Sequence, residues 1–414
     1  MHSKGEGKLR EALLYASTFI IEEDLMWFVP VRYNYLCCYN LQTEEVVKKY
    51  RLPEGNLYPR MYDNILSYEG KLYLIPFNGS NVLVFDKGKE VFERISMAPY
   101  DTIKYRFCAA TIYQDTLYMF SEQVAAEIEN PYIVVRVNLS SKEITQIVEL
   151  DVEVVSARKP YYEVFARQSF VIERQLYILL QRTNQVLGYD LERNITQVYV
   201  VGSSENRYTA MCVDKDKFYF IDQEGDVTVW DKAKNINSKY KNTISGYQVE
   251  KKDIFAAFSS SFKYEDMIYF VPRYANKVLA FNSENIIEAP FSEVVQSYKK
   301  RFETNWVGKF LSCVQRNHIL YLSDGYSYKF HKVNLVTNEY IGREIATIFT
   351  KDELEEMYLE ALSENREWYY EDSSEYFNLE FYLKNLRAEK DVKKLDKNAP
   401  TGKEILQKII QKDI

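Results

Sequence analysis

The hydrophobic and polar positions of this chain follow a pattern that repeats seven times. Each repeat contains a short run of aliphatic and aromatic residues, and the first residues of successive runs, the anchors, lie 42 to 59 residues apart. The anchors are Leu25, Leu72, Leu117, Leu176, Phe218, Ile268 and Leu320. A period of this length is typical of folds built from one repeated supersecondary unit.

A second apolar run follows each anchor and ends in Asp or Asn. In six of the seven repeats this residue lies 13 to 15 residues after the anchor, and the remaining repeat carries an insertion near residues 122–131. The residues are Asn40, Asp86, Asn138, Asp190, Asp231, Asn282 and Asn334. Asp and Asn favour turns because their side chains bond nearby backbone N–H groups. The spacing therefore predicts two antiparallel strands, the second closed by an Asx turn.

Two further strands complete each predicted repeat. A shorter alternating run follows the Asp or Asn, as in Glu90–Ile95, and another apolar run precedes most anchors, as in Phe107–Tyr113. Four antiparallel strands in a repeat of this size form a β-propeller blade. The sequence predicts an all-β fold, a seven-bladed β-propeller of four-stranded antiparallel blades spanning residues 1–346. Two α/β domains are the alternative, but only two segments of the chain show helical periodicity.

Those two segments predict an insertion and a tail. Residues 292–302 read as a short helix capped by Ser292, between the sixth and seventh repeats. The second segment is a helical C-terminal tail over residues 347–414, in which Thr350 with Glu353 and Thr401 with Glu404 form capping boxes. Apolar residues at helical spacing follow both boxes, so we expect an amphipathic tail that packs on the propeller or on a partner.

The blade pattern resembles the Kelch and WD40 families of β-propellers over residues 11–346. Val229-Trp230-Asp231 is similar to the Trp-Asp end of a WD40 blade, and Gly70-Lys71-Leu72-Tyr73 is similar to a Kelch repeat. The Gly-His pair of WD40 and the double Gly of Kelch are missing, so the resemblance implies the fold and no subfamily. A propeller of this kind implies a ligand site at one mouth of the central channel.

Composition narrows the functional classes. The 36 Tyr and 23 Phe among 414 residues favour strands, and the net charge of −7 argues against nucleic acid as a partner. No stretch reaches the roughly 18 apolar residues of a membrane span, and the N-terminus lacks the apolar core of a signal peptide, so we expect a cytoplasmic protein. Five Cys and three His, with none in a ligand-like arrangement, predict neither a disulfide framework nor a metal or cofactor site.

One recurrent feature suggests a ligand class. A cation lies 9 to 12 residues before the anchor in five repeats, with an aromatic residue near each one. The cations are Arg60, Arg106, Arg167, Arg207 and Lys309, and the aromatic residues that we assign to the same ligand site are Tyr58, Tyr105, Tyr208 and Trp306. If these side chains converge on the channel mouth, they suit carboxylate, phosphate or sulfate, with aromatic faces for stacking a sugar or base. The alternative is structural: each cation bridges neighbouring blades through acidic loop residues such as Asp101, Glu163 and Glu205.

Catalytic signatures are missing from the sequence, which holds no Gly-x-Ser-x-Gly, phosphate-binding loop or His-Glu-x-x-His motif. We therefore expect a non-catalytic binding or scaffold protein that recognises a protein or glycan-like partner through a propeller face or the helical tail. A lectin-like or anion-binding module is the second hypothesis. The third is a hydrolase or lyase that uses channel carboxylates, for which Asp63, Asp101, Glu163 and Asp253 are candidates.

Overall fold

A computed structural model describes residues 10–31, 33–54, 60–97, 105–123, 133–149, 165–250, 256–295, 308–350 and 352–353. The chain divides into two compact units, Met1–Glu360 and Ala361–Ile414, and all of the described residues belong to the first. Their strands form seven antiparallel sheets, which we call blades 1 to 7 in chain order.

The strands are numbered along the chain and begin with β1 (Arg10–Leu14). Blade 1 contains β2 (Ala16–Glu22), β3 (Leu25–Pro30), β4 (Tyr35–Asn40) and β5 (Glu45–Arg51). Blade 2 contains β6 (Tyr62–Tyr68), β7 (Lys71–Pro76), β8 (Asn81–Asp86) and β9 (Val91–Ser96). Blade 3 contains β10 (Tyr105–Tyr113), β11 (Thr116–Gln123), β12 (Ile133–Asn138) and β13 (Glu143–Glu149). Blade 4 contains β14 (Phe165–Ile172), β15 (Gln175–Leu180), β16 (Gln185–Asp190) and β17 (Ile195–Val200).

The last three blades complete the ring. Blade 5 contains β18 (Tyr208–Asp214), β19 (Lys217–Asp222), β20 (Val227–Asp231) and β21 (Ile236–Tyr240). Blade 6 contains β22 (Phe258–Tyr264), β23 (Met267–Pro272), β24 (Leu279–Phe281) and β25 (Ile286–Glu288), followed by a short 3₁₀ helix (Ser292–Val295). Blade 7 contains β26 (Phe310–Arg316), β27 (Ile319–Asp324), β28 (Lys329–Asn334) and β29 (Tyr340–Phe349).

The seven-bladed β-propeller predicted from the sequence is confirmed. The first strand of each blade contacts the first strand of the next, and β26 contacts β2, so these strands line a closed central channel. The anchors are the first or second residues of the second strands, which are almost wholly buried, as in Leu72–Ile75 and Leu117–Phe120. Apolar side chains from neighbouring blades pack together between the sheets, which explains the aromatic content of the chain.

An N-terminal strand closes the ring. Strand β1 pairs with the second half of β29, from Arg10 opposite Phe349 to Leu14 opposite Ile345, and becomes the fifth strand of blade 7. The next residue, Tyr15, leads directly into the first strand of blade 1. The two ends of the propeller are thus joined by a five-residue ladder rather than by packing alone.

The helical predictions lie mostly outside the described residues. Beyond Phe349 the structure describes Thr350 and a helical pair, Asp352 and Glu353. There the predicted capping box is confirmed, because the Thr350 N–H donates to Glu353 and the Glu353 N–H donates to the Thr350 hydroxyl. In the segment predicted as a short inserted helix, the described residues form the 3₁₀ helix Ser292–Val295. Its Ser292 hydroxyl accepts a hydrogen bond from the Val278 N–H. No helix in the described part of the chain is long and apolar enough to cross a membrane.

Candidate functional site

A β-bulge interrupts the first strand of every blade at nearly the same height. The pairing with the second strand shifts register after Ala16, Tyr62, Phe107, Phe165, Tyr208, Phe258 and Phe310. A bulge inserts at least one extra residue and redirects its side chain. The inserted residues at this level include Ser17, Asp63, Arg167, Thr209 and Ser259. Ser17, Asp63, Thr209 and Ser259 are buried and Arg167 is nearly so, and the bulges therefore build a polar layer within the channel.

Asp63 is the centre of this layer. Its carboxylate pairs with Arg60 in the same blade and, at 2.9 Å, with Arg167 of blade 4. The Ser17 hydroxyl of blade 1 donates to it as well, at 3.1 Å. Asp63 is only 2% exposed, so two guanidinium groups compensate the cost of burying its charge.

An aromatic ring joins two of the cations above Asp63. The guanidinium of Arg60 lies 4.1 Å from the centre of the Phe77 ring, and that of Arg106 lies 5.0 Å from the same centre. The Phe77 N–H donates to the Met61 carbonyl, which fixes the loop after β7 beside the start of β6. Arg60, Arg106 and Arg167, from blades 2, 3 and 4, thus meet around Asp63 and Phe77 in one sector of the channel, which we call the arginine sector.

Blade 4 also reaches towards blade 6. The Gln168 amide, next to Arg167, donates to the Ser261 carbonyl at 2.7 Å and accepts from the Ser261 N–H at 2.8 Å. Arg167 therefore reaches past blade 3 to blade 2, and Gln168 reaches past blade 5 to blade 6. These adjacent residues link blades 2, 4 and 6 through the channel.

A buried tyrosine lies beside the arginine sector. The ring of Tyr15 stacks on Tyr328 with centroids 5.4 Å apart and planes 10° from parallel. Burial raises the pKa of the Tyr15 phenol well above its usual value; the charges of Arg167 and Arg60 oppose that rise, and Asp324 adds to it. Asp324 is itself buried and accepts bonds from the Ser327 hydroxyl and the Tyr326 N–H.

The structure places Lys309 beside blade 6. Its ammonium group donates to the Ala275 carbonyl at 3.1 Å and lies 3.8 Å from the Glu250 carboxylate. The Tyr326 hydroxyl donates to the same carboxylate at 3.4 Å. These contacts match the structural alternative, in which the cation is held between loops by an acidic residue.

The remaining predicted site residues divide into two groups. Arg207 is exposed and donates to the carbonyls of Ser204 and Asn206 in its own loop, while Tyr208 is fully buried against Phe220. The ring of Tyr208 therefore belongs to the core. Tyr58, Trp306 and the side chain of Tyr105 lie outside the described residues. Of the nine predicted ligand-binding residues, the structure brings together Arg60, Arg106 and Arg167. A ligand-binding role for the nine stays a prediction.

Of the four candidate catalytic acids, only Asp63 lies among the described residues. Asp63 is engaged by three donors, whereas Asp101, Glu163 and Asp253 lie outside the described residues. Within the part of the chain that the structure describes, no three His, Cys, Asp or Glu side chains are grouped to hold a metal ion.

Sequence reasoning missed Tyr15, Asp324 and Phe77. Phe77 follows the second strand of blade 2, and Asp324 ends the second strand of blade 7. Tyr15 precedes the first repeat. Counting back from the anchors could therefore not find these residues. A search of the residues that follow each anchor run would have found Phe77 and Asp324. Tyr15 gave no signal, because it lies in the short link after the strand that closes the ring.

Comparisons with known proteins identify the fold. No protein-family model matches the chain, and no curated protein matches its sequence. Virginiamycin B lyase from Staphylococcus aureus is 13% identical, with 78% of this chain covering 97% of the lyase at a TM-score of 0.53. U3-55K is 9% identical, with 78% of this chain covering 92% of it at a TM-score of 0.52. The computationally designed protein Ika8 is 7% identical, with coverages of 82% and 90% and a TM-score of 0.51. Likeness at such low identity shows a shared fold alone, and that fold is the β-propeller.

Proposed function

We propose that this chain is a non-catalytic binding propeller that recognises a protein or glycan-like partner through an anionic group bound at the arginine sector. The observation that carries the proposal is the meeting of Arg60, Arg106 and Arg167 around Asp63 and Phe77. A guanidinium offers five N–H donors in a planar fork that matches carboxylate, sulfate and phosphate.

The arrangement is also preorganised. Asp63 fixes Arg60 and Arg167, and the Phe77 ring supports Arg60 and Arg106 on its face. Side chains that are held in place before binding lose little conformational entropy when a ligand arrives, which favours affinity. Arg60 keeps 23% of its side-chain surface exposed and Arg167 keeps 12%, so the groups remain accessible.

Catalysis by channel carboxylates has less support. A general base must be able to accept a proton from a substrate, and Asp63 already accepts from Arg60, Arg167 and Ser17. With three donors already bound to it, the carboxylate suits a positioning role. The hydrolase or lyase therefore stays the weakest of the three hypotheses.

The remaining parts of the proposal concern partner and location. We propose the helical tail as a second docking surface and the cytoplasm as the site of action. All five cysteines are free thiols, and burial raises the pKa of Cys37 and Cys38 above the usual value for a thiol. Free, unreactive thiols suit a reducing compartment.

Binding of sulfate, phosphate and glucuronate, with glucose as the neutral comparison, tests the proposal. We expect the oxyanions to raise the melting temperature of the protein saturably and glucose to leave it unchanged, since a ligand at about 100 times its Kd adds about 2.7 kcal/mol. Arg106→Gln should weaken oxyanion binding about tenfold or more, because a charged hydrogen bond contributes about 1.5–3 kcal/mol. The readout is thermal shift followed by calorimetric titration.

Arg207→Gln is the matched control, because Arg207 bonds to the carbonyls of its own loop. It should bind oxyanions as the wild type does. The proposal fails if no oxyanion gives a saturable shift, or if the Arg106 and Arg207 variants lose affinity equally.

A further inference from the structure

One buried hydroxyl beside the arginine sector lacks a hydrogen-bond partner. Tyr15 is 4% exposed, and its hydroxyl oxygen has no partner among the described residues. Nearly all buried polar groups in folded proteins are bonded, because leaving one without a partner costs about 1–3 kcal/mol. An orphaned hydroxyl beside this sector therefore points to a partner that the protein alone does not supply.

The surroundings of Tyr15 define what that partner must be. The backbone carbonyl of Tyr15 accepts from the Val31 N–H at 2.8 Å, and its ring stacks on Tyr328, so the side chain is held in place. Burial keeps the pKa of the phenol above its usual value, so Tyr15 stays protonated at neutral pH and can donate. Arg60 and Arg167, whose charges act on Tyr15, carry only donors, whereas the carboxylate of Asp324, which also acts on it, already accepts from Ser327 and Tyr326.

Resting on the function proposed above, we infer that Tyr15 is a specificity-determining contact of the arginine sector, where its hydroxyl donates to an oxyanion held by Arg60 and Arg167. Two guanidinium groups that only donate, together with a protonated phenol that can donate, favour a ligand group that accepts. Carboxylate, sulfate and phosphate meet this requirement. A neutral hydroxyl or amide meets it less well, because it carries no charge to pair with the two guanidinium groups.

The depth of Tyr15 adds a constraint on size. The exposed fraction of the side chain is 23% for Arg60 and 12% for Arg167. The hydroxyl oxygen of Tyr15 has almost no solvent contact. The ligand group that reaches Tyr15 must therefore be small. A terminal or pendant oxyanion of a larger partner meets this constraint, and inorganic sulfate and acetate are its minimal probes.

Tyr15→Phe tests the inference because it removes only the hydroxyl and keeps the ring that stacks on Tyr328. We expect the unliganded variant to melt at the same temperature as the wild type or higher, because a buried orphan group is removed. Its affinity for sulfate and acetate should fall about tenfold, which corresponds to the loss of about one hydrogen bond to a charged group. Thermal melting without ligand and calorimetric titration of each anion are the two measurements.

Tyr118→Phe is the matched control. The Tyr118 hydroxyl is buried and donates to the Leu191 carbonyl between blades, so its loss should lower the melting temperature and leave anion affinity unchanged. If Tyr15→Phe lowers the melting temperature as much as Tyr118→Phe does, a structural water satisfies Tyr15 and the inference is overturned.

The two proposals fail in distinguishable ways. If the wild type binds sulfate and Arg106→Gln weakens it while Tyr15→Phe does not, the inference about Tyr15 is wrong and the proposed function stands. If the wild type binds neither sulfate nor acetate, the proposed function itself is wrong, and the inference falls with it.

Discussion

Asp222 in blade 5 shows how burial alters a single residue. Its carboxylate ends β19 and accepts the N–H groups of Glu224 and Asp226 at 2.9 and 3.0 Å. Burial, and then the neighbouring charge of Asp226, raise its pKa to about 6, although Lys239 lies 3.5 Å away and opposes the rise. Asp222 and Asp226 are both buried and both contact the Lys239 ammonium group, while Asp226 also contacts Lys241.

The raised pKa of Asp222 predicts a pH dependence of stability. Its folded pKa of about 6 exceeds the value of 3.8 expected when unfolded, so the folded state binds more protons between these values. The contribution of Asp222 to the free energy of unfolding should therefore rise as the pH falls. Between about pH 7.5 and about pH 5, the wild type should gain on the order of 1 kcal/mol relative to Asp222→Asn. Urea unfolding of both proteins across this range measures the difference.

Asp231→Asn provides the opposite control, because backbone N–H donation from Lys234 lowers the pKa of Asp231. In that pair the wild type should lose stability relative to the variant as the pH falls towards the ordinary Asp range. A flat difference between wild type and Asp222→Asn from pH 7.5 to 5 would contradict the assignment.

At the scale of elements, the hairpin that joins the first and second strands of each blade is strained in a consistent way. It has a two-residue turn, and the first turn residue has positive φ in all seven blades although none of these residues is glycine. The residues are Glu23, Glu69, Gln114, Glu173, Lys215, Glu265 and Asn317. A left-handed conformation costs an ordinary residue about 1–2 kcal/mol, so strand pairing must hold these turns in place.

Substitution of Gly70 measures the cost of a left-handed conformation in one of these turns. It follows Glu69 with φ at +74°, and a Cβ added there would meet no atom within 4 Å. Gly70→Ala should therefore destabilise the protein by about 1 kcal/mol through the backbone alone. Gly88→Ala is the control, because Gly88 has no positive φ and the nearest atom to an added Cβ is Asp86 Oδ1 at 3.5 Å. Chemical denaturation should separate the two variants, and equal stabilities would show that the left-handed conformation of Gly70 carries no strain.

The Asx turns could be predicted from sequence because each depends on a few adjacent residues. The Asp or Asn that closes the third strand accepts backbone N–H groups two or three residues later, as Asn40, Asp86, Asp190 and Asn334 do. The bulges of the first strands could not be predicted, because a bulge is a property of the pairing between two strands. The helical tail beyond Glu353 stays a prediction.

The candidate site was predictable only in part, because its contacts also depend on how separate strands and blades pair. Repeat spacing found Arg60, Arg106 and Arg167, since each occupies a similar place in its own blade. It could not predict that Arg167 pairs with Asp63 two blades away, because that contact depends on the diameter of the ring and on the bulge that redirects Arg167. Spacing also selected Tyr208, whose ring is buried in the core.

At the scale of the whole molecule, two kinds of bond hold the ring together. The ladder between β1 and β29 closes it at the outer edge of blade 7, and the side chains of Arg167 and Gln168 link blades across its centre. Each blade otherwise contacts mainly its two neighbours, as in other repeat folds. The central links therefore couple blades that would not otherwise meet, and they hold Arg167 in the arginine sector.

Gln168→Ala tests the central link directly. The Gln168 amide bonds both the N–H and the carbonyl of Ser261, which is 1% exposed, so its removal leaves two buried backbone groups without these partners. We expect a loss of about 2 kcal/mol or more in the free energy of unfolding. Gln175→Ala is the control, because the Gln175 amide donates to Asp190 within its own blade and is partly exposed, and it should cost less than about 1 kcal/mol. Equal losses in urea denaturation would mean that blades 4 and 6 are not coupled through the channel. A larger loss for Gln168→Ala, with weaker sulfate binding, would show that the same link that stabilises the ring also positions the arginine sector.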